Sequence, residues 1–243
     1  MSTDKRPDLR IGVNPAEVAR QCAAHVIELL KSSGDATLAI SGGKTPTPMF
    51  EDLAKSDLDW SRIHIFWVDE RCVPPTDERS NFKEANQSLL IPAKVPLSNI
   101  HRIPGEIDPN EAAEKYVADI NQFFSLKPGQ LPVFDVLHRG MGPDAHTASL
   151  FPGEPLINNQ SDIAAHVWVE KMKMDRITLL PGVLIAARHT VLQVTGTDKA
   201  ASVHDVLYGP EDPLRYPCQI ATRGSNKAVW FVDRAAAAQV ENN

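Results

Sequence analysis

Residues 134–153 read FDVLHRGMGPDAHTASLFPG, and the rest of the chain is understood from this stretch outward. The apolar run Val133 to Leu137 predicts a short strand. Gly140, Gly142 and Pro143 turn the chain and deliver Asp144 and His146 close together. Thr147, Ala148, Ser149 and Leu150 can open a helix, which Pro152 and Gly153 stop within about two turns. A strand ending in a glycine turn that opens a helix is where α/β proteins hold their ligands. A carboxylate beside an imidazole at such a point suggests proton transfer.

Strands and helices alternate on both sides of this stretch. Leu9 to Val13 reads as a short edge strand, and Asn14-Pro15 as an N-cap followed by a first-turn proline. From Ala16 to Lys31 apolar residues recur at helical spacing. Ala36 to Ile40 is a compact strand, followed by the turn Ser41-Gly42-Gly43-Lys44-Thr45-Pro46; Thr45 is the expected N-cap of a helix reaching Lys55. Ile63 to Val68 is nearly all apolar, as a strand covered on both faces must be, and ends in Asp69-Glu70-Arg71. A helix runs from Ser80-Asn81 through Leu89, Pro92 to Gly105 is irregular, and a second long helix covers Asn110 to Phe124. His166 to Val169 is a strand. Arg176 to Ala187 reads as turn plus helix, with Pro181-Gly182 spoiling its start. Thr190 to Thr195 is a β-branched strand leading to Gly196-Thr197-Asp198-Lys199 and a helix through Leu207. Ala228 to Val232 is the last strand, and the alanine-rich tail after Arg234 is expected to fray. The alternation predicts one α/β domain over residues 1–243, with its core from about residue 10 to 232 and a mostly parallel, doubly wound sheet.

Composition narrows the function. The chain has 243 residues, 42% hydrophobic and 23% charged, as in ordinary globular proteins. A net charge of -6 speaks against a nucleic-acid partner but allows a local anion site. Cys22, Cys72 and Cys218 are dispersed, which is neither a disulfide framework nor a zinc signature and fits a reducing cytoplasm. No apolar h-region opens the chain and no run approaches the ~18 residues that cross a bilayer. No bound cofactor or metal is expected, and the chain reads as a monomer or small homo-oligomer.

Four polar clusters sit at predicted strand ends: Ser41 to Thr45, Asp69 to Arg71, Asp144 to His146, and Asp198-Lys199. In a parallel sheet these ends share one edge, so the clusters can converge. Around Gly42 and Gly43 backbone N–H groups can approach an anion. Arg71 can hold a phosphate bidentately and Lys199 adds a point charge; taken alone, Arg71 can equally pair with Asp69 or Glu70. The segment Gly140 to Ala145 formally matches GxGxxA, but Pro143 and the short following helix set a dinucleotide fingerprint aside. An imidazole can take a proton from water near neutral pH, so His146 is the candidate general base, a role typically worth ~10²–10⁴-fold. No HxH or HxxxH pair suggests a metal.

GMGPDAHTASLFPG resembles the signature of the 6-phosphogluconolactonases. AISGGKTP, FWVDERCVPPTDERSN, RITLLPGVLIAAR and TGTDKA resemble further segments of that family, in the same order. The resemblance implies a Rossmann-like αβα sandwich similar to the glucosamine-6-phosphate deaminase and ribose-5-phosphate isomerase folds. It implies hydrolysis of 6-phospho-D-glucono-1,5-lactone to 6-phosphogluconate, the second step of the pentose phosphate pathway. It implies that Arg71 and Lys199 grip the 6-phosphate, that Ser41, Gly42, Gly43, Lys44 and Thr45 help to bind substrate, and that His146 activates water. Asp144 or Asp69 would orient His146 or bond sugar hydroxyls. The chain departs from the family at Ala145, where glycine is usual and a positive φ is therefore questioned; at His138 and Arg139, where two apolar residues are usual; and at Ile185, where asparagine is common. His138 and Arg139 would reach either the rim of the site or solvent. Deaminases of this fold carry DEY and HIAFNEP where this chain has DER and HTASLFP. A non-catalytic sugar-phosphate sensor would need a helix-turn-helix, and few residues precede the first element.

Overall fold

Seven parallel strands form the main sheet of the computed structural model, which describes residues 7–220, 222 and 228–240. In chain order the elements are β1 (Asp8–Gly12), α1 (Pro15–Ser32), β2 (Ala36–Ile40), α2 (Thr47–Ala54), β3 (Ile63–Trp67), β4 (Asp69–Arg71), α3 (Asn81–Ala85), β5 (Ile100–His101), α4 (Pro109–Phe124), β6 (Val136–Arg139), β7 (Ala164–Val169), β8 (Met174–Leu179), α5 (Pro181–Ala186), β9 (His189–Val194), α6 (Ala200–Tyr208) and β10 (Ala228–Asp233). The main sheet runs β1-β10-β9-β6-β2-β3-β5, and β4-β8-β7 form a separate antiparallel sheet.

Side-chain alternation builds the layers. Val191 of β9 and Phe231 of β10 join the core that holds Val18, Cys22 and Val26 of α1. Their neighbours Leu192, Val194, Trp230 and Val232 join a second core, closed by Val203 and Val206 of α6. Both faces of the sheet are therefore buried, which explains why its strands read as apolar runs. The tail does not fray as expected: Ala236, Ala237 and Val240 pack into the second core, because small side chains fit closely under β10.

Val68 joins the two sheets. Its N–H donates to Ile40 O and its carbonyl accepts from Leu179 N, both at 2.8 Å. Asp69, Glu70 and Arg71 thereby leave the parallel sheet and pair antiparallel with Thr178, Ile177 and Arg176. The stretch from Arg176, expected as turn plus helix, is thus a strand as far as Leu179. Pro181 starts α5 rather than spoiling it, since a first-turn proline loses no helical hydrogen bond.

Three further expectations change. α2 begins at Thr47 with Pro46 at its N-cap and no side-chain cap, so Thr45 does not cap it. α3 gives way after Ala85 to a π-helical stretch, Asn86–Leu90. No helix follows His146: Thr147 and Leu150 close a tight turn on each other, and Ala148 adopts φ 52°, which a right-handed helix cannot contain.

Candidate active site

From β2 the chain moves outward to β3, and from β6 it moves the opposite way to β9 and β10. The switch point of the sheet lies between β2 and β6, the place where open α/β sheets bind ligands. Two glycine turns flank it, Ser41–Gly43 after β2 and Gly140–Gly142 after β6. They border a cleft of about 230 Å³ that is also lined by Asp69, Arg71, His146 and Lys199. The strand ends therefore converge as their polar clusters suggested.

His146 is held from three sides. Its Nδ1 lies 2.5 Å from Asp144 Oδ1, and its ring stacks on Phe151 with centroids 4.1 Å apart. Gly142 lies beneath the ring: an added Cβ there would stand 2.0 Å from His146 Nδ1. Bonded to a carboxylate, Nδ1 carries the proton and Nε2 is the basic nitrogen. Nε2 has no partner among the described residues. The hydrogen bond from His146, helped by Lys171 Nζ at 3.1 Å, holds the Asp144 carboxyl well below the usual carboxylate range.

The turn carrying this pair is locked by backbone bonds. Gly142 N donates to His146 O at 2.8 Å, and Cys218 N donates to Ala145 O at 2.9 Å. Ala145 adopts φ 63° and is buried. Alanine thus takes the left-handed conformation that its presence had put in question, because surrounding bonds and packing over-determine it.

Asp69 does not touch His146. It accepts from Ser149 Oγ at 2.7 Å and lies 3.6 Å from Arg176 Nη1. Of the two carboxylates considered as the partner of His146, Asp144 is the one in contact. Glu70 is buried and accepts from Ser80 Oγ and from the N–H groups of Arg71, Asn81 and Phe82, at 2.7–3.0 Å. Arg71 therefore pairs with neither carboxylate. Its Nη1 donates to Arg79 O, and its Nε is buried without a partner. Lys199 lies 3.1 Å from Asp198, with its side chain mostly covered.

Around Ser41 the site is uneven. Ser41, Gly42 and Thr45 line the cleft, but Lys44 is exposed outside it and Gly43, at φ 99°, turns the chain without lining it. Gly42 has to lack a side chain, since a Cβ would come 2.2 Å from Asn81 Oδ1. The N–H of Gly42 has no acceptor among the described residues.

The family model for glucosamine-6-phosphate isomerases and 6-phosphogluconolactonases matches residues 14–230. The chain belongs to that family. A 6-phosphogluconolactonase from Nostoc sp. is 35% identical over 212 residues, 87% of either chain. The crystal structure of a 6-phosphogluconolactonase from Thermotoga maritima superposes with a TM-score of 0.77 at 29% identity, covering 93% of this chain and 97% of that one. A monomeric glucosamine-6-phosphate deaminase shares the fold, with a TM-score of 0.82 at 17% identity over 96% of this chain and 99% of its own.

Arg176, Gln193, His138 and Asn81 line the cleft but were not singled out as site residues from the sequence. Arg176 enters because β8 is a strand that pairs with β4. Gln193 and His138 enter because they stand two residues apart in register on one face of adjacent strands. His138 is fully buried at the cleft, while Arg139 points to the opposite face, fully buried, with Nη1 3.5 Å from Thr147 Oγ1. Neither contacts solvent. Strand alternation, applied once β6 is known to extend through Arg139, separates the two residues. Among the described residues no group of three or more His, Cys, Asp or Glu could hold a metal ion, and no helix is long and apolar enough to cross a membrane.

Proposed function

We propose that this chain hydrolyses 6-phospho-D-glucono-1,5-lactone to 6-phosphogluconate, with His146 as general base. The observation that carries this reading is the Asp144–His146 pair, whose unpartnered Nε2 adjoins a cleft that also holds Arg71, Arg176 and Lys199. The three cations take the dianionic phosphate and fix the sugar. Nε2 removes a proton from water as its oxygen attacks the lactone carbonyl, C1. Asp144 keeps the ring in the tautomer that accepts at Nε2 and stabilises the imidazolium that forms. The developing oxyanion is met by backbone donors. In the turn around His146 several are already spent on its own carbonyls; the N–H of Gly42, beside the cleft and without an acceptor among the described residues, is an available donor. Collapse of the tetrahedral intermediate breaks the ring C1–O bond, and the imidazolium returns its proton to the leaving alkoxide. Ser149 is fully buried and donates to Asp69, so no acyl-enzyme is invoked.

The relatives named 6-phosphogluconolactonase, at 35% identity and below, support the choice of substrate. The free thiols of Cys22, Cys72 and Cys218 fit a reducing, cytoplasmic location. The deciding experiment follows freshly made lactone by proton release. The wild-type chain should hydrolyse it with or without EDTA, while His146→Ala loses ~10²–10⁴-fold in kcat with KM little changed. Ammonia release from glucosamine 6-phosphate, or wild-type kcat in His146→Ala, would overturn the reading.

A further inference from the structure

The floor of the cleft holds polar atoms that have no partner in the protein. His138 is 1% exposed, and no hydrogen bond of good geometry reaches Nδ1 or Nε2, although the Gln193 side chain lies close enough to favour the protonated ring. Gln193, 2% exposed, spends its Nε2 on Thr45 O at 3.2 Å and leaves Oε1 unpartnered. Asn81, 1% exposed, spends its Nδ2 on Asp69 O at 2.8 Å and likewise leaves Oδ1 unpartnered. All three residues line the cleft. Leaving such groups unmet inside a protein is costly, and native structures keep them where a ligand or water completes them.

The chemistry of the set is selective. Two amide oxygens can only accept. A neutral imidazole offers one donor and one acceptor. A phosphate or carboxylate, which only accepts, would be repelled by the amide oxygens. A hydroxyl donates and accepts at once, so it suits both an amide oxygen and the imidazole N–H. Arg71, Arg176 and Lys199 supply the positive charge in the same lining, which leaves the amide oxygens and the imidazole for hydroxyls.

We infer that His138 and Gln193, with Asn81 beside them, form a hydroxyl-reading floor that selects the sugar of the substrate, as Arg71 and Lys199 select its phosphate. This rests on the lactonase reading above. In that role His138 is a specificity residue that touches substrate, not a core histidine packed edge-on against Phe50, which it also adjoins with ring centroids 6.2 Å apart.

The test compares kcat/KM for 6-phosphogluconolactone with that for its 2-deoxy and 3-deoxy counterparts. The wild-type chain should lose about ten-fold or more on the counterpart that lacks the hydroxyl held at the floor. His138→Leu should lower kcat/KM for the parent lactone by a similar factor and no longer distinguish that counterpart, while folding at least as stably as wild type. Gln193→Leu should act in the same direction, and His138→Asn should retain part of the discrimination. Unchanged kcat/KM and unchanged deoxy ratios, within about two-fold, in both leucine variants would overturn the inference. If His138→Leu fails to fold, Gln193→Leu decides alone. A wild-type chain inert towards every lactone would overturn the activity instead. The floor is then read by calorimetric binding of 6-phosphogluconate and its deoxy counterparts, where equal affinities in wild type and Gln193→Leu would overturn it.

Discussion

Arg71 and Arg176 stand directly opposite each other in the antiparallel register of β4 and β8. Like charges so placed destabilise a strand pair. Burial and the Arg71 charge both push the Arg176 guanidinium downward, with Asp69 acting against them. Asp69 is the one carboxylate in ion-pair contact with either arginine among the described residues, and that contact is with Arg176, so Arg71 has no carboxylate against its guanidinium. A bound dianion supplies the missing negative charge. Inorganic phosphate, well above its dissociation constant, should therefore raise Tm; at a hundred-fold excess the linked stabilisation is about 2.7 kcal/mol. Arg71→Met should abolish most of the shift and, because it removes the like-charge contact, leave the ligand-free Tm no lower than that of wild type. Scanning calorimetry with and without phosphate measures both.

Gly142 sets the position of His146. A Cβ there would meet His146 Nδ1 at 2.0 Å and Asp144 Oδ1 at 2.8 Å. Gly142→Ala should displace the ring or break the Asp144 bond, with loss of kcat on the order of 10²-fold, as expected if the proposed base moves by about 1 Å. Because His146 and Asp144 are partly exposed, stability should change little. Equal kcat in the variant, read beside a thermal melt, would refute the argument.

Ala145 tests a balance of small terms. Removing its Cβ relieves the left-handed backbone by about 1–2 kcal/mol. The same change forfeits a buried methyl, about 0.8 kcal/mol, and adds unfolded-state freedom worth about 0.4–1 kcal/mol. Ala145→Gly should therefore lie within about 1 kcal/mol of wild type and keep its activity. Ala145→Val, β-branched and buried, should cost about 2 kcal/mol or more. Urea titrations of the two variants separate these outcomes.

His138 makes stability depend on pH. Burial pushes its pKa down to about 4, with Gln193 acting slightly the other way. The unfolded chain takes up the proton near pH 6.5, whereas the folded chain does not until about pH 4. This contribution is complete above pH 6.5 and falls by about 1.4 kcal/mol per unit as pH drops towards 4. Between pH 7 and pH 5, wild type should lose about 2 kcal/mol more stability than His138→Leu, measured from urea midpoints at the two values. Parallel curves would show that the folded imidazole is not held neutral.

Local pattern carried far in this chain. Apolar runs marked β2, β3, β9 and β10, the Asn14-Pro15 cap began α1 where expected, and glycine turns at strand ends marked the edge that carries the cleft. Short-range rules misread Arg176 to Leu179, whose strand state comes from pairing with β4 and β7 on either side. They also missed the end of β6, because His138 and Arg139 are polar and the sheet buries them regardless. The helix expected after His146 is absent because Thr147 and Leu150 bond to each other across the turn.

By itself the sequence indicated a mostly parallel, doubly wound sheet, strand ends whose polar clusters around Ser41, Asp69, Arg71, His146 and Lys199 can converge, and a candidate base. Those follow from periodicity and turn chemistry, which act over a few residues. Only the tertiary structure decided that Asp144 rather than Asp69 holds His146, that Arg176 faces Arg71, and that His138 is buried at the cleft beside Gln193. Each depends on strands distant in sequence being brought into one register, and the register is set by packing of the whole sheet rather than by any residue's own neighbours.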